Sequence, residues 1–394
     1  METAFSRVVR LVDGQYRSMF PAGRDIPFAL RTTTGLRHTF GRDDPAFELI
    51  VTRPSGMAAI ATMDLSRIAE AYVGGALDLE GDVKSALLMR EAFSDRHPVA
   101  FAWRFVKPFL FGKVKTDQQW IAQHYDHPPE FWRSFLDERH RGYSHAFFAH
   151  QAEPLSDAMT RKLDFALEAI DAKPGDRVLD VGGGWGSMLE HGGRRGVRIT
   201  SLTISRGGER FMRELIAGEQ LPCDVRYEHL AEHAPAEQYD GIVNLGVSEH
   251  LPDYRATLRK YLALLKPGGK IYLDACAQRV KYDTSAFFDK YIYPGNGGPL
   301  CLHKYLAEVA RTPFQLLRLR DDRESYRLTT QRWAENLDRN RELIERNWGQ
   351  QLYRTFRLYL WGSSDGFERD LVQAYHWVMQ KPLDRPTAQM DTPH

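Results

Sequence analysis

Apolar and polar positions alternate along this chain with two different periods, and the pattern changes near its middle. Ser156 to Ile170 repeats its apolar side chains at helical spacing, and Arg177-Val-Leu-Asp-Val181 reads as a short buried strand. Met188 to Arg195 fits a helix and Arg198-Ile-Thr-Ser-Leu-Thr203 a second strand. Further strands are expected at Gly241–Leu245 and Lys270–Asp274, with a helix between them through Tyr254–Leu265 that Pro267-Gly-Gly closes. Strands alternating with helices imply a parallel sheet with right-handed crossovers, hence an α/β fold from about residue 151 onward. Before residue 100 the apolar runs are short, as in Phe47–Thr52 and Met57–Thr62, and Gly and Pro punctuate them, so a smaller α+β domain is expected there. Beyond 281 the chain reads as an aromatic-rich insertion followed by two last strands near Phe314–Leu319 and Tyr375–Met379.

Composition narrows this picture. With 394 residues, 43% of them hydrophobic and 27% charged, the chain can bury a core and holds two domains or one with an appendage. A net charge of +1 argues against a general polyanion binder, so no nucleic-acid partner is expected. Cys223, Cys276 and Cys301 form no C-x-x-C pair and no histidine cluster has zinc spacing, so no disulfide framework or structural zinc is expected, and a reducing cytoplasm fits. The N-terminal stretch lacks the apolar run of a signal peptide, and no segment reaches the roughly 18 apolar residues that span a bilayer. Contact with a membrane would therefore be peripheral. The stretch 101–115, FAWRFVKPFLFGKVK, interleaves aromatic rings with Arg104, Lys107, Lys113 and Lys115, a pattern suited to a lipid headgroup interface or to packing against the next domain. Pro108 interrupts any long amphipathic helix in it.

The first candidate chemistry is the loop Asp180-Val-Gly182-Gly-Gly184-Trp-Gly186, which follows a strand and opens a helix. Glycines there let backbone approach a ligand at the carboxyl end of the sheet. A dinucleotide fingerprint would place its third glycine at Ser187 and an acid near Thr203-Ile-Ser205, and neither is present, although Arg206 could meet a 2′-phosphate. The spacing G-x-G-x-G with Asp180 before it fits a methyltransferase better; a tight turn without a ligand is the plain alternative.

More segments join this loop. They are Ala69-Glu-Ala-Tyr-Val-Gly-Gly-Ala-Leu-Asp-Leu-Glu-Gly-Asp82, His124-Tyr-Asp126, Phe131-Trp132, Tyr143-Ser-His-Ala-Phe-Phe148 and Lys173-Pro-Gly-Asp-Arg-Val-Leu-Asp180. Leu202-Thr-Ile-Ser205, Ser248-Glu-His250, Leu265-Lys-Pro-Gly-Gly269 and Asp289-Lys-Tyr-Ile-Tyr-Pro294 complete the series. Together they resemble the cyclopropane fatty acid synthase family, which includes the mycolic acid cyclopropane synthases. The resemblance implies a Rossmann-like class I methyltransferase fold with a seven-stranded sheet. It implies domains at 1–100, a linker with active-site cap helices at 101–150, and a catalytic domain at 151–394 with an insertion at about 281–345. The cofactor implied is S-adenosylmethionine, held by Tyr143, Ser144, Gly182, Gly184 and Thr203, with Asp180 and Gly186 completing the loop. Two positions depart: Gly208 stands where the family often has Gln, and Glu228-His229 where it has an acidic residue.

The substrate implied is the double bond of an unsaturated phospholipid acyl chain at the inner face of the membrane, with room for a homodimer. Attack of an alkene on the methyl leaves a carbocation, which aromatic faces stabilise by about 0.5–2 kcal/mol each. Phe147, Phe148, Tyr291, Tyr293, Tyr326 and Trp333 are the candidates. A base must then remove a proton, and its position decides between a cyclopropane and a methyl-branched alkene. In the family a bicarbonate held by Cys, Glu, His and Tyr serves. This chain keeps Glu249 and Tyr326, but has His145 at the Cys position and Asp274 at the His position. Two mechanisms stand open: a protein base drawn from His145, Glu249 or Asp274, or bicarbonate in a rearranged cage. His250 is assigned no chemistry, and His124 and Tyr125 face the cofactor, the acyl chain or only a packed helix. The rivals are a methyltransferase for a soluble small molecule and a catalytically silent relative that binds lipid.

Overall fold

The computed structural model describes residues 3–20, 25–89, 127–280, 286–292 and 298–383. The stretch 101–115, with His124, Tyr125 and Tyr293, lies outside the described residues. The chain divides into two compact units, one of Met1–Val106, Thr284–Pro294 and Thr330–Gly366, the other of Lys107–Asp283, Gly295–Thr329 and Phe367–His394.

In the first unit, four short strands form one sheet. They are β1 (Phe28–Thr32), β2 (Arg37–Phe40), β3 (Phe47–Val51) and β4 (Leu77–Gly81), in the order β2-β1-β3-β4. β1 runs parallel to β3, and the other pairs are antiparallel. Phe28 lies between Phe40 and Phe47, with ring centroids 4.5 and 5.1 Å away, so one face of the sheet is an aromatic stack. The helix Ala4–Met19 buries Val8, Val12 and Tyr16, a stripe with a spacing of four residues that makes one face apolar. The run at Met57–Thr62 forms the end of the helix Pro54–Ala61 and its C-cap Thr62, and Pro54 can open this helix because the first helical N–H needs no partner.

In the second unit, seven strands form one sheet: β5 (Arg177–Val181), β6 (Arg198–Thr203), β7 (Asp224–Tyr227), β8 (Tyr239–Leu245), β9 (Leu265–Ala277), β10 (Gln315–Asp321) and β11 (Gln373–Gln380). Their order is β10-β11-β9-β8-β5-β6-β7. β5 to β9 pair in parallel, and β11 lies antiparallel between β9 and β10. Leu179, Ile242, Ile271 and Leu273 are fully buried on the central strands, each stabilising the fold by roughly 1.5–3 kcal/mol. The fold is thus the expected α/β arrangement with a seven-stranded sheet. One boundary moves: the helix stops at Leu264, and β9 already begins at Leu265, running through Pro267-Gly-Gly to Ala277. It is long because it is bonded on both sides, to β8 and to β11. The chain turns from one side of β5 to the other between β7 and β8, so the carboxyl ends of β5 and β8 flank the switch point where open α/β sheets bind ligands. Among the described residues, no helix is long and apolar enough to cross a membrane.

Candidate functional site

A cleft of about 1120 Å³, counting its open mouth, opens at that switch point. Its floor is the glycine loop. Gly182 has φ +80°, and a Cβ there would lie 2.4 Å from Val247 Cγ2, so no side chain fits. Gly184 has φ +52° and nothing within 4 Å of its missing Cβ; its bare backbone borders open space. Opposite, a tight turn delivers Tyr143 and Ser144. The buried Asp137 carboxylate builds that turn by accepting the N–H groups of His140 at 2.6 Å and Gly142 at 3.0 Å. Gly142 leaves room for Met159, whose Cε would sit 2.6 Å from an added Cβ.

Tyr143, Ser144, Asp180, Gly182, Gly184 and Thr203 all line the cleft. Gly186 does not; it caps the helix Ser187–Gly193 from a left-handed conformation with φ 77°. Glu228 and His229 line the cleft too, as does Gly208, whose added Cβ would lie 3.0 Å from the Gly184 carbonyl oxygen. That closeness is a physical reason for glycine at 208. Burial pushes the Asp180 carboxyl up to about 6, opposed by the Ser201 hydroxyl at 2.7 Å and by the charge of Lys162. His250 also lines the cleft, and burial lowers it to about 4, so it is neutral at pH 7. An open glycine backbone and the carboxyl groups of Asp180 and Glu228 suit S-adenosylmethionine, which carries a cation, an amino acid and a nucleoside.

The four residues expected to be catalytic lie elsewhere in the same unit, and they lie together. Glu249 follows β8 in the short turn Ser248–His250. Its Oε1 accepts the Cys276 N–H at 2.7 Å, while Oε2 is enclosed with no hydrogen-bond partner among the described residues. Burial pushes this carboxyl up to about 8, with backbone N–H bonds opposing and the nearby Asp274 charge adding to the push. Burial is therefore a larger cause than the paired carboxylate. Asp274 and Cys276 are two apart on β9 and leave the same face of the strand. The Cys276 thiol lies within reach of Glu249 and Tyr326, and burial followed by the Glu249 charge pushes it well up.

His145 is completely buried. Its Nδ1 faces Asp274 Oδ1 at 3.8 Å, and its ring stacks on Tyr326 with centroids 4.8 Å apart. Its Nε2 lies 3.0 Å from Asp322 Oδ2, which also lies 2.6 Å from His376 Nδ1. Burial alone would raise the Asp322 carboxyl, but the bonds from both histidines outweigh it and hold it well below the usual carboxylate range. His376 reaches the cluster because β11 pairs it directly with Asp274 on β9.

Sequence reasoning missed Lys162. It sits on the helix Leu155–Ala169, and its side chain has no exposure. Its Nζ lies 3.0 Å from Asp274 Oδ2 and donates to Ser144 Oγ at 2.6 Å. One ammonium thus joins the cleft wall to the buried cluster. The signal was a basic residue on the apolar face of an amphipathic helix, between Met159 and Leu163. Of the rings proposed to face a carbocation, Phe147 and Tyr326 pack on His145. The described Tyr291 and Trp333 belong to the other unit. Bicarbonate would meet no unpaired cation in this cluster: Lys162 is paired with Asp274, and each histidine turns one ring nitrogen to Asp322, leaving His145 Nδ1 and His376 Nε2 without a hydrogen-bond partner among the described residues.

The family model described as mycolic acid cyclopropane synthetase matches residues 112–377. A "Probable fatty acid methyltransferase" of Pseudomonas putida is 24% identical over 370 residues, covering 91% of this chain and 92% of its own. The tuberculostearic acid methyltransferase UfaA1 of Mycobacterium tuberculosis is 26% identical over 366 residues, covering 86% and 84%. Among solved structures, the cyclopropane synthase MmaA2 of Mycobacterium tuberculosis superposes with a TM-score of 0.63 at 23% identity, over 67% of this chain and 98% of that one. With the family matched over most of its length, this chain belongs to the mycolic acid cyclopropane synthetase family and is an S-adenosylmethionine-dependent methyltransferase.

Proposed function

We propose that this enzyme methylates a double-bond carbon of an unsaturated acyl chain esterified in a phospholipid, at the inner surface of the membrane. The observation that carries this reading is the enclosed Glu249 carboxyl, with its unpartnered Oε2, in the same unit as the cofactor cleft. Methylation of nitrogen or oxygen needs only a lone pair. Methylation of an alkene carbon leaves a cation that must lose a carbon-bound proton away from water, which calls for such a base. The names of the fatty acid methyltransferase relatives agree with a lipid substrate.

S-adenosylmethionine, when bound, supplies an electrophilic methyl on a sulfonium. The glycine loop, Tyr143, Ser144, Asp180 and Thr203 would hold it. The alkene π pair would take up that methyl, which would leave a positive charge on the neighbouring carbon of the acyl chain. Glu249 takes the proton, and Tyr326 and Phe147 face the transient cation. Asp274, which faces His145, lies near this acid and raises it further. The changes to His145 and Asp274 beside the retained Glu249 favour a methyl-branched alkene over a ring. The basic and aromatic stretch 101–115 is the proposed contact with the headgroups.

The test is mass spectrometry of fatty acids after the protein is incubated with S-adenosylmethionine and vesicles of monounsaturated phospholipid. Acyl chains should gain one CH2, and derivatisation should identify a branched alkene. Turnover of a soluble acceptor with no gain on any lipid would overturn the reading.

A further inference from the structure

We propose that Lys162 and Asp274 form a built-in counter-ion pair that takes the place of an exchangeable anion, so that this enzyme removes the proton with Glu249 alone and needs no bicarbonate. The inference rests on the function proposed above and deepens it.

The argument starts from charge. Three carboxylates, Glu249, Asp274 and Asp322, meet in one buried region, faced by one lysine and two histidines. Burying an ammonium is costly unless it is paired and hydrogen-bonded, and Lys162 satisfies both needs inside the chain, on Asp274 and on Ser144. Each histidine turns one ring nitrogen to Asp322, which lies between them, while His145 Nδ1 and His376 Nε2 have no hydrogen-bond partner among the described residues. No cation among the described members of the cluster is left for an incoming anion, which would meet carboxylates instead. A buried anion needs uncompensated positive charge; a proton acceptor needs an enclosed carboxyl oxygen, and Glu249 Oε2 is one.

The step balances without a co-reactant. The pair of the broken C–H bond enters the carbon skeleton, the proton passes to Glu249, and solvent receives it after product leaves. A carboxyl pushed up to about 8 can both take and release a proton near neutral pH. The titratable groups facing Glu249 are Asp274 and Cys276 on β9 and Lys162 on its helix, with Tyr326 across the Cys276 thiol. Of these, the Asp274 charge raises the Glu249 value and the Lys162 charge lowers it. Lys162 is thus a positioning residue: it cancels Asp274 and sets how readily Glu249 ionises.

The test has two arms on the full-length enzyme. In the first, carbon-13 bicarbonate is titrated into protein saturated with S-adenosylhomocysteine in carbon-dioxide-free buffer and followed by NMR. No saturable binding is expected, and saturable binding would overturn the inference. This readout holds even if no lipid is ever turned over, an outcome that would sink the proposed function instead. Turnover in the same buffer should be unchanged by added bicarbonate; a rate restored about tenfold by bicarbonate would also overturn it.

The second arm reads pH. In Lys162→Met the rise of kcat with pH should move upward by about one unit, because Asp274 is left uncancelled. Lys162→Met combined with Asp274→Asn should bring it back. An unmoved profile in the single variant, or an equally displaced one in the double, would remove Lys162 from this role. The double variant, neutral at both positions, keeps the test open if the single one does not fold.

Discussion

The cleft and the acid cluster occupy one unit but are built from different materials. The cleft is mostly backbone: two glycines with positive φ at 182 and 184, a turn ordered by Asp137, and the ends of β5 and β8. The cluster is almost entirely side chains, brought from residues 145, 162, 249, 274, 322 and 376. A backbone site is specified locally and tolerates change in the walls around it. A side-chain cluster is specified by the whole sheet, and each member leans on the next. Substitution should therefore separate them: changes in the cluster should strike turnover or stability and leave cofactor affinity alone, and changes in the loop should do the reverse.

The largest separation is expected at Glu249. Glu249→Gln keeps the shape and removes the base, so kcat should fall about 10³-fold, within the range for loss of a general base. Affinity for S-adenosylhomocysteine, measured calorimetrically, should stay within about twofold. In the unaltered enzyme kcat should climb with pH and level off above about 8, where Glu249 is ionised. A profile flat between pH 6 and 9 would mean that another group takes the proton. For stability the sign is opposite. A carboxyl raised by folding stabilises most below its unfolded value near 4.3, and that contribution is lost as pH rises through about 8.

Asp322 comes next. Asp322→Asn removes the charge that two buried histidines share, at a cost of about 3 kcal/mol in urea unfolding at pH 7. Its carboxyl is held below the ordinary value, so its contribution is present above about pH 4 and is lost as pH falls further. The unaltered protein should thus lose stability more steeply than the variant below about pH 4. Parallel curves would show that Asp322 is not held low.

The difference in materials also explains what the sequence disclosed. β6 was read at its observed limits, and the helix from Leu155 within a residue, because periodicity is local. The glycine loop was legible for the same reason. Lys162 was not, because a lysine on a helix ordinarily reaches solvent, and its partner Asp274 comes from a strand more than a hundred residues later. Asp322 and His376 carried no signal at all. Their meeting depends on β11 entering antiparallel beside β9, a register that no short window contains. β10 is exposed along its whole length, so its pattern could mark only an approximate position.

In the cleft, Gly184→Leu should show the opposite signature to Glu249→Gln. The new side chain would enter open space rather than the core, and would fill the cofactor's place. Affinity for S-adenosylhomocysteine should drop about 100-fold, or about 2.7 kcal/mol. The left-handed φ should cost about 1–3 kcal/mol of stability. Unchanged affinity would take the loop out of the site.

The smallest effect is expected at Gly208, and there the two properties should move in opposite directions. This residue lies in the first turn of the helix Arg206–Glu219, where its N–H bonds the Ser205 hydroxyl at 3.2 Å. Alanine is a better helix former than glycine by about 0.8–1.0 kcal/mol, so Gly208→Ala should gain a few tenths or more in folding stability. Its Cβ, however, would press on the Gly184 carbonyl oxygen from 3.0 Å and shift the loop by a few tenths of an ångström. Affinity for the cofactor should fall about threefold, because a preorganised site loses binding when its backbone moves. A rise in stability with unchanged affinity would show that the loop accommodates a side chain at 208, and that the cleft is less rigidly specified by its backbone than the comparison with the cluster requires.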